Sequence, residues 1–99
     1  RLLQMGMTAI ICSHDLIANA IMVQCQQLGY HIPRDISIIG FDDLPMCAYT
    51  SPPLTTIRQD RAELGKCGYY ALDSILNNVS IGTILLHAQL IERNSTSKI

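Results

Sequence analysis

Two short polar segments, each following an apolar run, hold the residues best suited to chemistry. Ser13-His14-Asp15 follows Thr8–Cys12, and Asp42-Asp43 follows Ile36–Phe41. Their hydroxyl, imidazole and carboxylate groups could bind a polar ligand, hold a metal ion or transfer a proton. The spacing of these groups decides between the three uses.

That spacing argues against a metal site and against catalysis. No second His or Cys lies at ligand spacing from His14, which favours a hydrogen-bonding role for its ring. Adjacent residues at the end of a strand point to opposite sides, so Asp42 and Asp43 are not expected to share one proton. One of them would accept hydrogen bonds from a ligand while the other caps its loop. Ser13 and Asp15 are expected to cap or support the next helix. We predict no metal and no cofactor; an enzyme using Asp42, Asp43 and His14 is the alternative.

The elements around these residues predict a parallel β–α–β unit. The apolar, β-branched run Thr8–Cys12 is typical of a strand covered on both faces, and Ile36–Phe41 is the second strand. Between them, Leu16–Leu28 has a helical period that Gly29 ends. Ligands of open parallel sheets bind beyond the carboxyl ends of the strands. The two polar segments are therefore predicted to lie together at one edge of the sheet.

The second half of the chain predicts further elements. Leu54–Arg58 is expected to be extended, and Asp60 with Glu63 resembles a capping box. The helix that follows would run to about Asn77. Thr83–Arg93 is then predicted to be extended. The apolar face of this second helix comprises Leu64, Gly68, Ala71 and Ile75.

Composition limits the class of protein. The chain has 99 residues, 48% of them hydrophobic and 15% charged, with a net charge of -1. This excludes a disordered chain and argues against direct binding to a nucleic-acid backbone. We find no run long enough to span a membrane and no signal peptide. The four cysteines are unevenly spaced, which favours reduced thiols and a cytosolic protein. Because the chain opens with Arg1, we expect a fragment with further sequence upstream.

The helix Leu16–Leu28 contains no charged residue, although a helix at the surface usually carries charge on its outer face. One apolar stripe would pack on the sheet. A second stripe lies about a third of a turn away, and we expect it to contact another subunit or a missing part of the chain. The first stripe comprises Ile17, Ala20, Ile21 and Leu28, and the second comprises Ala18, Met22 and Cys25.

Four segments in register resemble the lactose/galactose-repressor (LacI/GalR) family. They are TAIICSHD at 8–15, IPRDISIIGFDD at 32–43, SPPLTTIRQ at 51–59 and the closing LIERNST at 90–96. The resemblance implies a bacterial transcription regulator, usually a repressor, with an N-terminal helix-turn-helix domain that this chain lacks. The fold implied is an α/β, three-layer lobe of the type I periplasmic-binding-protein kind, part of a two-lobed sensor.

The resemblance also implies a place in the sensor and a ligand site. Residues 1–58 and about 83–96 would belong to the C-terminal lobe. Residues from about 59 to 80 would cross to the N-terminal lobe. The family binds its effector, often a sugar, between the lobes, through positions that are His14, Asp42 and Gln59 here. The family commonly has Asn where His14 stands, which is a departure.

Family dimers form through the helix after the first strand and the loop after the Asp pair. The resemblance therefore implies a homodimer interface, an allosteric change of lobe orientation and a cytoplasmic protein. A periplasmic sugar-binding protein of a transport system is the alternative, and the sequence upstream would distinguish the two. The implied interface residues are Ala18, Met22, Cys25, Met46 and Tyr49.

Overall fold

A computed structural model describes residues 3–98 of the chain. Its elements, in chain order, are a 3-10 turn Leu3–Met5, β1 Ala9–Ile11, α1 Asp15–Gln27, β2 Ser37–Ile39, a 3-10 turn Pro45–Ala48, β3 Thr56–Arg58, α2 Arg61–Leu76 and β4 Gln89–Ile91. The predicted strands and helices are confirmed, with one difference. The extended segment predicted over 83–93 contains a strand only at Gln89–Ile91.

The described residues form two compact units. Unit 1 runs to Arg58 and resumes at Leu90, and unit 2 is Gln59–Gln89. The first boundary falls where the sequence analysis placed a crossover. The second falls at residues 89 and 90, later than the expected position near 83. The assignment of these units to two lobes of a larger sensor stays a prediction.

Strand β2 lies at the centre of unit 1. It pairs in parallel with β1, with Ile10 opposite Ile38. On its other side Gly40 N–H donates to Thr55 O at 2.9 Å, and Ile39 forms a parallel bridge with Thr55. A second two-stranded sheet contains β3 and β4. The predicted parallel β–α–β unit is therefore confirmed, with β2 bonded on both of its edges.

Local signals explain where the helices begin and end. The Asp60 carboxylate accepts a hydrogen bond from Glu63 N–H at 3.0 Å, so the predicted cap of α2 is confirmed. Gly29 follows α1 with a φ of 92°, a conformation that favours glycine and lets the chain turn towards β2. Short local motifs thus set two boundaries, the end of α1 and the start of α2.

The core of unit 1 reverses the predicted roles of the two stripes on α1. Ala18, Met22 and Cys25 are buried, with Met22 only 1% exposed, whereas Ile17 is 48% exposed. The prediction that Ala18, Met22 and Cys25 form a subunit interface is therefore wrong, because they already pack inside the unit. Neither stripe carries charge, so the helical period alone could not select the one that faces the sheet. The core comprises Cys12, Ala18, Met22, Cys25, Ile36, Ile38, Cys47 and Leu54.

Helix α2 differs from the expectation in its burial. The predicted face is open to solvent within unit 2: Leu64 is half exposed and Ile75 is 62% exposed. Ser74 is the buried residue of this helix. The helix was predicted correctly, but among the described residues its apolar face has little to pack on.

Candidate functional site

The parallel pairing of β1 and β2 brings the two polar segments together. Asp15 N–H donates to Phe41 O at 3.2 Å, which joins the end of the first segment to the residue directly before the second. Both lie beyond the carboxyl ends of the strands, where ligands of parallel sheets bind. The predicted neighbourhood of residues 13–15 and 42–43 is therefore confirmed.

His14, rather than Asp15, is the N-cap of α1. Its backbone is extended, and its Nδ1 accepts a hydrogen bond from Leu16 N–H at 3.2 Å. Because Nδ1 accepts, the neutral ring that fits this geometry carries its proton on Nε2 and can donate one hydrogen bond. Ser13 is exposed beside it. The carboxyl edge of the sheet therefore offers a hydrogen-bond donor at His14 Nε2.

Asp15 is a fully buried carboxylate that holds three elements together. Its Oδ1 accepts from Thr56 Oγ1 at 2.6 Å, and its Oδ2 accepts from Leu44 N–H at 2.7 Å. Burial, together with a hydrogen bond to Asp15 and the charge of Asp15, raises the pKa of the Cys47 thiol to about 12. A Cβ at Gly40 would overlap Asp15 Oδ1 and come within 3.0 Å of Leu54 Cδ2. Asp15 therefore supports the loop after β2 from inside the protein.

Asp42 and Asp43 both have positive φ values, 111° and 54°, which are uncommon for residues other than glycine. Asp43 is 8% exposed, and its carboxylate binds Arg58 Nε at 2.7 Å and Arg93 Nη2 at 2.8 Å. Burial alone would raise the pKa of Asp43, but the hydrogen bonds and charges of the two arginines outweigh it and hold that pKa below its usual value. The Asp43 carboxylate thus has a structural role, in which its two ion pairs stabilise the loop after β2.

Gln59 belongs to unit 2, whereas His14 and Asp42 belong to unit 1. It is exposed and lines a cavity of about 420 Å³ in that unit. Its part in a common site with His14 and Asp42 stays a prediction. The cavity is lined by Gln59, Asp60, Glu63, Leu64, Ile84, Leu86 and His87.

Of the predicted interface residues, two remain accessible. Tyr49 is 87% exposed and Met46 is half-buried, at the 3-10 turn after the Asp pair. Their role in an interface stays a prediction. Within residues 3–98, no group of three or more His, Cys, Asp or Glu side chains could hold a metal ion. No helix in that part of the chain is long and apolar enough to cross a membrane.

Sequence reasoning missed the buried and half-buried residues that support the carboxyl edge of the sheet. Thr56 and Ser95 are buried, and Arg93 donates to Leu54 O at 2.8 Å as well as to Asp43. A hydroxyl residue inside a short apolar strand is one available signal, because a buried hydroxyl needs a partner. The sequence could not identify that partner, because Thr56 and Asp15 are 41 positions apart.

A parallel β–α–β unit with polar side chains at its carboxyl edge defines an α/β lobe of the open parallel-sheet kind, whose ligands bind at that edge. Residues 1–96 match the family of periplasmic binding protein-like domains. The chain belongs to that family.

The individual proteins and solved structures to which this chain is similar include transcription regulators. The chain is 38% identical over 94 residues to an HTH-type transcriptional repressor PurR of Vibrio vulnificus, covering 93% of this chain and 28% of that one. It superposes on the transcription regulator CcpA of Lactococcus lactis with a TM-score of 0.87 at 28% identity, covering 97% and 36%. For a LacI family regulator of Enterococcus faecalis with bound ribose, the TM-score is 0.82 at 39% identity, covering 93% and 35%. The chain thus spans about a third of the length of these proteins.

Proposed function

We propose that this chain is the C-terminal part of the effector-binding domain of a LacI-family transcription regulator in the cytoplasm. The observation that carries the proposal is the match of residues 1–96 to the family of periplasmic binding protein-like domains, with PurR and CcpA among the similar proteins. DNA binding would belong to a separate helix-turn-helix domain. The similar proteins reported above are regulators, and none is a transport protein, so the transport alternative has no support.

The effector is a sugar or a related small polar metabolite. The carboxylate of Asp42 can accept hydrogen bonds from neighbouring hydroxyl groups, and His14 offers a donor from the same strand-end edge. Gln59, which can both donate and accept, would complete the contacts from the chain that follows β3. The similar Enterococcus faecalis regulator binds ribose, so D-ribose is the first effector to test.

The deciding experiment replaces Asp42 with alanine in the full-length protein. Calorimetry should show D-ribose affinity falling at least about tenfold, because each hydrogen bond to a charged group contributes about 1.5–3 kcal/mol. Operator binding without ribose should persist. Glu92→Ala, which removes an exposed carboxylate of the same unit, is the matched control and should leave ribose affinity unchanged. An Asp42→Ala protein that still responds fully to ribose would show that Asp42 is not a contact residue.

We also propose that the chain is not an enzyme. The Asp43 carboxylate is bound by Arg58 and Arg93, so it is not available as a general base. His14 Nδ1 accepts from the backbone of α1, which leaves that nitrogen no role in proton abstraction. The proposal predicts that D-ribose is recovered unchanged after prolonged incubation with the protein, as NMR would show. Conversion of the sugar would refute it.

We propose further that two copies associate through the exposed face of α1, together with Met46 and Tyr49. This face carries no charge, although it is open to solvent, and uncharged apolar faces of this kind mark interaction sites. Its residues are Leu16, Ile17, Ala20, Val23, Gln24 and Gln27.

A charge placed on that face tests the dimer. Ile17→Glu should shift the full-length protein from dimer to monomer in sedimentation velocity, because an isolated charge would be buried between the copies. Arg34→Glu, an exposed charge change in the same unit, is the control and should sediment as the unmodified protein does. Dimers that survive Ile17→Glu would exclude this face.

A further inference from the structure

The turn that carries Asp42 is bonded to the protein at each successive backbone N–H group. The N–H groups of residues 42–44 donate, in chain order, to Ile57 O at 2.8 Å, to Thr56 Oγ1 at 3.3 Å and to Asp15 Oδ2 at 2.7 Å. Two of these three residues have positive φ values, which cost free energy in residues other than glycine. The three acceptors therefore hold a backbone conformation that the turn would not keep by itself.

The carboxylate of Asp43 also holds this turn in place, through ion pairs. Arg58 and Arg93 both bind it, and these arginines lie on the two segments where the chain leaves unit 1 and returns to it. Arg93 also donates from Nη1 to Leu54 O at 2.8 Å, which fixes its guanidinium group against the backbone. The turn is thus bound to both connecting segments at once.

Thr56 is the centre of this arrangement. Its hydroxyl donates a hydrogen bond to Asp15 Oδ1 at 2.6 Å and accepts one from Asp43 N–H at 3.3 Å. The hydroxyl thus serves both as a donor and as an acceptor. Thr56 and Asp15 are both fully buried. A small ligand at the edge of the sheet cannot touch either side chain, so any effect of Thr56 on binding must act through the turn.

We infer that Asp15, Asp43, Thr56 and Arg93 are positioning residues that hold Asp42 ready for the effector before the effector arrives. This inference rests on the proposed function, since it assigns them to the effector site. A protein whose binding-competent conformation is only partly populated binds its ligand more weakly by that fraction. Loosening the turn should therefore weaken binding although no contact with the effector is removed.

The test compares two substitutions of Thr56 in the full-length protein. Thr56→Val keeps the shape of the side chain and removes the hydroxyl, whereas Thr56→Ser keeps the hydroxyl. D-ribose affinity, measured by calorimetry, should fall about tenfold in Thr56→Val as the competent fraction falls, and Thr56→Ser should restore it to within about threefold. Amide hydrogen exchange of residues 42–44, without ligand, should speed up at least about tenfold in Thr56→Val alone.

One amide serves as an internal reference for a general loss of stability. Cys12 N–H donates to Ile39 O at 2.8 Å at the end of the β1–β2 pairing, and this bond does not involve residues 42–44. If positioning is the role of Thr56, exchange at Cys12 stays constant while residues 42–44 exchange faster. Equal acceleration at Cys12 would mean a merely structural role and would overturn the inference, as would unchanged exchange at 42–44.

The two proposals fail in different ways. If the unmodified protein does not bind D-ribose, the proposed effector is wrong, and exchange at residues 42–44 still decides whether Thr56 holds the turn. If ribose binds and Thr56→Val binds it equally well, the proposed function stands and the positioning role is wrong.

Discussion

The two helices of this chain have similar apolar periodicity but differ in how far their apolar side chains are buried. Helix α1 buries Ala18, Met22 and Cys25 against the strands of unit 1, whereas α2 buries Ser74 and exposes more than half of Ile75. The side chains of α2 left largely exposed are Leu64, Tyr69, Tyr70, Leu72, Ile75 and Leu76.

The signals that form a helix therefore differ from the features that bury its apolar face. Caps and spacing suffice for both helices, because these signals act within a turn or two of the chain. Burial needs a second surface, and β2 provides it for α1 within unit 1. Unit 1 should therefore respond strongly to substitutions in its packing, and α2 should respond weakly.

The largest expected difference comes from shortening one apolar side chain in each helix. Met22→Ala should lower the free energy of unfolding by about 2–4 kcal/mol, because it leaves a cavity in a packed core. Leu72→Ala, on the exposed surface of α2, should change it by less than about 0.5 kcal/mol. Urea unfolding of this chain measures both. Equal losses would show that α2 is packed as tightly as α1.

A methyl group added to a glycine should act in opposite directions in the two units. Gly40→Ala should destabilise the protein by about 1–3 kcal/mol, because its Cβ would overlap the buried Asp15 carboxylate. Gly65 lies inside α2 with nothing within 4 Å of such a Cβ. Gly65→Ala should therefore stabilise by about 0.5–1 kcal/mol, the difference in helix propensity. Thermal unfolding gives both signs, and a stabilising Gly40→Ala would contradict the close approach.

A smaller, pH-dependent effect is expected at Asp43. Its pKa lies below the usual value of 3.8, because the bonds from Arg58 and Arg93 outweigh the effect of burial. The stabilisation is therefore present above that usual value and is lost as the pH falls through the lowered pKa.

Asp43→Asn should cost about 1–2 kcal/mol at pH 7, and the cost should shrink in acid, as urea unfolding at several pH values would show. Asp73→Asn, an exposed position on α2, is the control and should shift the unfolding free energy by less than about 0.5 kcal/mol. A cost for Asp43→Asn that does not depend on pH would argue against the ion pairs.

The smallest effect concerns thiol reactivity and should leave stability unchanged. Cys67 on α2 is partly exposed, and burial with the charge of Glu63 raises its pKa. Iodoacetamide should modify Cys67 before the buried Cys12, Cys25 and Cys47. Glu63→Gln should lower the pKa of Cys67 and speed its labelling by about twofold to threefold at pH 8, read by mass spectrometry. Early labelling of Cys47 would contradict the packed core of unit 1.

Prediction from sequence succeeded where one stretch of chain contained the whole signal. The capping residue Asp60 and the end of α1 at Gly29 are examples. It failed at α1, where two uncharged stripes competed, and it gave Asp15 the cap that His14 makes. In both cases the outcome depended on the volume and hydrogen-bonding groups that β2 and the following loop present to the helix.

The sequence alone determined the order of elements in the β–α–β unit and the presence of polar residues after both strands. Those features depend on caps, turns and periodicity between near neighbours in the chain. Only the tertiary structure decided that Thr56 would bind Asp15 and that Arg93 would bind Asp43. These partners are 41 and 50 positions apart, and no local pattern encodes a contact that exists only after the strands have assembled.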